Sequence, residues 1–177
     1  MRQNLETCLF NGKELVISEY NALSKISPFG KSAEEYFNSI YANSDIYAKI
    51  SGKHVRRLHI INQNLTEIPQ SINDLNQIDS LDLSHNQITK IENLILPNLV
   101  NLYLDDNTIS IIKGLNLPNL RMLTLIKNNI SNIDFLEELL KIQGDSQKIQ
   151  IVELQGKMVN RDHLYNKLKE KIYYLGI

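Results

Sequence analysis

Two histidines and three aspartates are the side chains of this chain that could act together in chemistry. His59 and Asp82 occupy matching positions in two similar segments. His85, Asp105 and Asp106 are expected close to them. Imidazole and carboxylate groups are ligands that divalent metal ions accept. We expect all five to be open to water, so a polar recognition surface is the better interpretation, and no metal or other cofactor is predicted.

Sequence motifs that mark catalytic centres are missing from the 177 residues. The chain has no G-x-S-x-G, no phosphate-binding loop, no H-E-x-x-H and no paired-cysteine metal motif. Its net charge of −1 provides no field that would attract phosphate, which argues against general nucleic-acid binding. We therefore predict that the protein is not an enzyme and does not bind nucleic acids in general.

Four segments with one common pattern must position these side chains. Each segment has two aliphatic residues separated by one residue. An asparagine or glutamine follows three positions later, and another aliphatic residue two positions after that. Alternation with period two predicts a strand with one buried face. The segments are 23, 21 and 21 residues apart, and such a period is typical of a stacked solenoid. They read Leu58-x-Ile60-x-x-Gln63-x-Leu65, Leu81-x-Leu83-x-x-Asn86-x-Ile88, Leu102-x-Leu104-x-x-Asn107-x-Ile109 and Leu123-x-Leu125-x-x-Asn128-x-Ile130.

The amide position of each segment has a structural explanation. The chain must turn after each strand, which leaves backbone N–H and C=O groups facing inward. An asparagine side chain can donate and accept hydrogen bonds at once, so Asn86, Asn107 and Asn128 are expected to form a ladder through the stack. Gln63 replaces asparagine in the first segment, which has only one neighbouring repeat.

The pattern resembles the leucine-rich repeat family, L-x-x-L-x-L-x-x-N-x-L, over residues 55–133. The resemblance implies an α/β fold, a leucine-rich repeat solenoid with a curved parallel β-sheet on its concave side. Leu-Pro-Asn-Leu occurs twice in the connections, from Leu96 and from Leu117. Because proline disfavours helix in the residue before it, the convex side is expected to be mostly irregular or short-helical, as in short intracellular members.

The ends of a solenoid need caps, because a bare sheet edge exposes unpaired backbone groups. We predict a small α/β N-terminal appendage over 1–50, repeats over 51–160 and a C-terminal capping helix over 161–177. The appendage could be a separate mini-module, but docking on the solenoid is the favoured interpretation, since fifty residues seldom hold a core alone. The repeats comprise the four above and a degenerate fifth, Ile149-x-x-Val152-x-Leu154, with Lys157 at the amide position.

Local signals place the elements of these caps. Asn11-Gly12 and Ser51-Gly52-Lys53 predict two hairpin turns. Ser18 is expected to cap a first helix, and Ser32 and Glu35 a second. An inserted amphipathic helix carries Phe135, Leu136, Leu139 and Leu140, and the final helix, Asp162 to Leu175, carries Leu164, Leu168, Ile172 and Leu175.

The function is expected on the concave sheet, where side chains that alternate with the buried leucines point outward. Tyr103 is central there, and tyrosine is enriched at interface hot spots. Met122, Ile126 and Ile151 are apolar where solvent is expected, which suggests a contact patch. The predicted partner-binding residues are Arg57, His59, Asp82, His85, Tyr103, Asp105, Asp106, Met122, Ile126, Ile151 and Glu153.

We therefore predict a protein–protein interaction module that binds a partner protein through this concave face. The alternative is a scaffold subunit of a larger assembly, such as a ribonucleoprotein, that makes contact through the appendage or the C-terminal helix. Cys8 is the only cysteine, whereas extracellular family members close their ends with cystines. No long apolar run is present, so a cytoplasmic monomer without membrane attachment is expected.

Overall fold

The structure of the chain is a computed structural model. It describes residues 6–27, 32–37, 45–132, 134–143, 149–154, 166 and 172–176, with backbone geometry alone for the last strands.

A hairpin and two helices open the chain. Strands β1 (Thr7–Phe10) and β2 (Lys13–Val16) pair antiparallel around the predicted Asn11-Gly12 turn. Helix α1 (Ile17–Ile26) follows directly, and α2 covers Ala33–Tyr36. The capping box of Ser32 and Glu35 is present at the start of α2. The prediction that Ser18 caps α1 is wrong, since the helix already begins at Ile17 with the extended Val16 before it.

Seven strands form the main sheet, in the order β11-β10-β9-β7-β5-β4-β3. The antiparallel hairpin of β3 and β4 is the predicted one, and from β4 to β11 every neighbouring pair is parallel. Leucines of successive repeats pair in register, Leu58 with Leu81, then Leu102 and Leu123. The strands are β3 (Ile46–Ser51), β4 (His54–Ile60), β5 (Ser80–Asp82), β7 (Asn101–Tyr103), β9 (Met122–Leu125), β10 (Ile149–Leu154) and β11 (Ile172–Gly176).

The other side of the stack is built from short pieces. A 3₁₀ helix (Gln70–Asp74) serves the first repeat, and the parallel strands β6 (Lys90–Glu92) and β8 (Ile111–Lys113) serve the next two. Helix α3 (Asp134–Gln143) follows the fourth repeat, as its amphipathic pattern predicts. The chain is thus an α/β solenoid whose connections are short, in keeping with the prolines at Pro97 and Pro118.

One apolar core runs from the appendage to helix α3 in the part of the chain whose side chains are described. The strand leucines meet side chains from the opposite side, such as Ile91 of β6, Leu96 and Leu117, and all of these are buried. Side chains of the appendage, including Phe10 and Leu23, belong to the same core. Each large aliphatic side chain removed from water contributes about 1.5–3 kcal/mol before entropy is counted.

Glu19 of α1 ties the appendage to the β3–β4 hairpin. Its carboxylate accepts a hydrogen bond from the backbone N–H of Val55 at 2.6 Å and lies 2.8 Å from Nδ1 of His54. Glu19 is buried, so these bonds offset the cost of removing its charge from water. The backbone N–H of Val16 also donates to the carbonyl of Lys53.

The asparagine ladder holds neighbouring turns together. The side chain of Asn107 accepts from the N–H of Ile88 at 2.9 Å and donates to the carbonyls of Leu83 and Leu104. Asn128 repeats this arrangement one turn later, accepting from Ile109 and donating to Leu104. Asn86 does the same toward the first repeat, with Gln63, Leu65 and Ile60 as partners. Each asparagine therefore bonds to its own turn and to the preceding one.

The C-terminal end differs from the predicted helix. Ile172–Gly176 form β11, a strand parallel to β10, so the prediction that the helix continues to Leu175 is wrong. Isoleucine and tyrosine at residues 172–174 favour extended backbone, and the edge of β10 offers unpaired backbone groups. Asn166 is helical, and residues 162–165 and 167–171 of the predicted helix, with Lys157, lie outside the described residues.

Replacing Asn107 by alanine should lower the free energy of unfolding by about 1–3 kcal/mol, because buried backbone groups of two turns lose their partners. Chemical denaturation measures this change. Asn116→Ala is the matched control, since that side chain is exposed on the opposite side of the stack, and its effect should be small. Equal effects for the two variants would contradict the role assigned to the ladder.

Candidate partner-binding face

Seven of the eleven predicted binding residues lie in register along one face of the main sheet, and the other four follow the ends of its strands. We call this surface the open face: it consists of the side chains on β3, β4, β5, β7 and β9 that alternate with the buried leucines. Arg57 lies opposite Ser80, and the row continues through Asn101 and Met122 to Ile151. The next row includes His59, Asp82, Tyr103 and Thr124 and reaches Glu153. For Ile151 and Glu153 only the backbone position on β10 is described.

The central row combines aromatic and acidic side chains. His59 pairs with Asp82, Asp82 with Tyr103, and Tyr103 with Thr124 on successive parallel strands. The sequence reasoning missed the first member, Tyr47 of β3, which lies opposite His59 and meets its ring edge-to-face at 5.2 Å between centroids. The alternating pattern of β3 could have indicated Tyr47, because the side chains of an antiparallel neighbouring strand lie in the same rows as those of β4.

Burial sets the protonation of this row. It lowers the pKa of His59 below the ordinary 6.5, the Asp82 carboxylate opposes that shift, and the Arg57 guanidinium adds to it. Burial also raises the pKa of the Tyr103 hydroxyl above its ordinary 10.0, and Asp82 acts in the same direction. At neutral pH the row therefore presents a neutral imidazole and a protonated phenol beside a carboxylate.

A pocket of about 480 Å³ opens at the ends of the strands. It gathers five of the predicted residues, namely Asp82, His85, Asp105, Asp106 and Ile126. The lining residues are Asp45, Ile61, Asp82, Ser84, His85, Asp105, Asp106, Ile126 and Lys127.

Asp105 is fixed by hydrogen bonds and has a structural part as well as a predicted surface role. Its carboxylate accepts from the hydroxyl of Thr124 and from the backbone N–H of Ile126, both at 2.8 Å. Asp82 accepts from the N–H of Ser84 at 3.0 Å. Both carboxylates are thus oriented by the backbone of the sheet, and Asp105 also ties β7 to the end of β9.

The residue before each ladder position adopts a left-handed backbone. Asn62, His85, Asp106 and Lys127 have φ angles of 57°, 56°, 52° and 54°. His85, Asp106 and Lys127 line the pocket rim, where the Asp106 carboxylate lies 2.9 Å from Nζ of Lys127 and 3.6 Å from Nδ1 of His85. Asparagine, aspartate and histidine are enriched in this conformation, so their recurrence just before the amide position was a sequence signal for this turn.

The histidines and carboxylates do not assemble into a metal centre in the part of the chain that the structure describes. No group of three or more His, Cys, Asp or Glu side chains there has a spacing that could hold a metal ion. His59 is directed at Tyr47, whereas His85 pairs with Asp106 at the rim. The arrangement can therefore make hydrogen bonds and ionic contacts to a partner.

The apolar contact patch expected at the far end of the face is less exposed than its sequence suggests. Met122 and Ile126 are both half-buried. Among the described residues, the large apolar side chains that reach furthest into solvent lie elsewhere, namely Leu9, Ile95, Ile111 and Ile142. Within the same residues, no helix is long and apolar enough to cross a membrane.

A scan against protein-family models finds no family that matches this chain, and a search of curated proteins finds no significant relative. The geometry of the open face and the repeat pattern therefore carry the functional argument.

The pKa of His59 provides a test of the central row. It should lie below 6.5, and Asp82→Asn should lower it further, because the carboxylate that stabilises the imidazolium is removed. Since the folded pKa is depressed, the contribution of His59 to stability is complete above pH 6.5 and is lost as the pH falls through the folded pKa.

Proton NMR of the His59 ring, followed from neutral to acidic pH, measures this value. Asp74→Asn is the matched control, since Asp74 is exposed on the 3₁₀ helix and its loss should leave the titration unchanged. A rise of the His59 pKa in Asp82→Asn would contradict the assigned contact.

Proposed function

We propose that this chain is a leucine-rich repeat protein that binds a partner protein through the open face. Four features support membership of the leucine-rich repeat family. They are the repeat of 21–23 residues, the parallel register of the strands, the asparagine ladder and the short connections on the side of the stack opposite the main sheet. Repeat solenoids use their extended sheet surface for binding, because the repeats place many side chains on one continuous face.

The observation that carries this proposal is the central row. Asp82, Tyr103 and His59 lie side by side on three adjacent strands, and all three side chains are half-buried rather than fully solvated. Neighbouring strands are about 4.8 Å apart, so a partner that contacts Tyr103 also meets the members on either side. Such a patch offers an aromatic anchor with polar groups around it, which is the usual composition of an interface centre.

The rigidity of the face favours binding too. The carboxylate of Asp105 is held by two hydrogen bonds and that of Asp82 by one, so a partner need not immobilise them on association. Pre-oriented groups lose less conformational entropy when a complex forms. An open surface of this kind excludes little water, which makes it better suited to recognition than to catalysis.

The cytoplasm is the compartment we propose for this interaction. The single Cys8 cannot form the intramolecular cystines with which extracellular leucine-rich repeat proteins close their ends.

Arg57→Ala combined with Tyr103→Ala should abolish capture of the partner from a native lysate of the source cell. Truncating a central interface tyrosine costs about 2 kcal/mol or more of binding free energy. Neither side chain takes part in the hydrogen bonds of the asparagine ladder, so the thermal melt should stay close to that of the wild type. Asp105→Ala is unsuitable for this purpose, because it would also break the bonds to Thr124 and Ile126.

Ile95→Ala with Ile111→Ala is the matched control, since both side chains are exposed on the opposite side of the stack. Capture that persists in the open-face variant overturns the proposal. Loss of capture in Leu9→Ser instead would favour the alternative, a scaffold subunit that makes contact through the appendage, where Leu9 is 68% exposed. Deleting the appendage cannot decide this, because Phe10 and Leu23 are part of the core.

A further inference from the structure

We propose that the pocket at the strand ends receives an arginine or lysine side chain from a short basic segment of the partner protein. This inference rests on the proposed function and specifies the chemistry of the partner. It is carried by three properties of the pocket: its uncompensated carboxylates, their fixed orientation and its apolar walls.

Within the described residues, three of the four pocket carboxylates form no ion pair. Asp106 forms ion pairs with Lys127 and His85 at the rim. For Asp45, Asp82 and Asp105, by contrast, the described residues provide no Lys, Arg or His nitrogen within 4.0 Å. Three aspartates in one concavity favour a positively charged group, and a concave wall concentrates their field.

The orientation of two of these carboxylates is set before any partner arrives. Asp82 is held through one oxygen by the N–H of Ser84, and Asp105 by Thr124 and the N–H of Ile126. The remaining lone pairs are available to the N–H groups of a guanidinium or ammonium, which form charge-assisted bonds.

The walls of the pocket suit the rest of such a side chain. Ile61 and Ile126 line it, and both are half-buried, so each offers apolar surface beside the carboxylates. Arginine and lysine carry a methylene stem that packs on apolar surface while the charged end reaches polar groups. A simple hydrated cation would leave these walls unused, whereas a long basic side chain fills both environments.

The other corner of the open face restricts the partner to a short basic segment. Lys49 and Arg57 are exposed neighbours on β3 and β4, in the row farthest from the pocket. A long polycation would meet these two charges and be repelled, because like charges in contact cost binding energy. A partner segment with a basic residue followed by neutral or acidic residues is complementary both to the acidic pocket and to the basic corner at Lys49 and Arg57.

The test uses the full-length ¹⁵N-labelled protein and two peptide probes. The first is acetyl-Gly-Ser-Arg-Arg-Ser-Gly-amide, and the second is the same peptide with citrulline in place of arginine, which keeps the shape and removes the charge. The arginine peptide should shift the amide signals of Ser84, Asp106 and Ile126, whereas the citrulline peptide at equal concentration should not.

Asp82→Asn should weaken binding of the arginine peptide by about tenfold or more, because one charge is lost while the bond from Ser84 can persist. Asp74→Asn, with the same change of charge on the 3₁₀ helix, should leave the affinity unchanged. Equal binding of the citrulline peptide, unchanged affinity in Asp82→Asn, or shifts confined to residues outside the pocket would overturn the inference.

The capture experiment separates this inference from the proposed function. If Arg57→Ala with Tyr103→Ala abolishes capture and Asp82→Asn does not affect it, the inference of a basic partner segment is wrong, while the proposal that the open face binds the partner is supported. If capture survives the double variant, the binding face is wrong, whatever the peptides do.

Discussion

The bond from an asparagine side chain to the preceding turn is the interaction on which the rest of this molecule depends. Asn107 accepts from Ile88 and donates to Leu83 and Leu104, so one buried side chain satisfies backbone groups of two turns. Leucines alone would hold the turns together without fixing their relative position, because apolar contacts are not directional. The ladder supplies the direction and allows sharp turns inside an apolar stack.

The open face follows from that register. Because the turns cannot slide, Asp82 stays beside His59 and Tyr103, and the carboxylate of Asp105 stays within reach of Thr124 on the next strand. A shift by one residue would exchange the buried leucines with this polar row. The open face and the core are therefore two sides of the same sheet, and the exposed residues can vary without disturbing the stack.

Much of the architecture could be predicted because the repeat is self-consistent. A period of 21–23 residues with alternating leucines predicts a parallel sheet, and an asparagine at each sharp turn can hydrogen-bond to inward-facing backbone groups. The end at Ile172–Gly176 was missed because a short apolar run fits a helix or a strand, and the free edge of β10 decides between them. The anchoring of Asp105 and the docking of Tyr47 on His59 depend on contacts between strands, which no local pattern encodes.

Native-state hydrogen exchange of the Ile88 and Ile109 amides is the direct test of the asparagine ladder. Each of these N–H groups bonds to the side-chain oxygen of an asparagine in the next turn, Asn107 or Asn128. If the ladder holds the turns together, both amides exchange only when the stack opens, as slowly as the amides of Leu83 and Leu104, which bond to the next strand. Exchange of Ile88 and Ile109 at the rate of an unstructured peptide would contradict it.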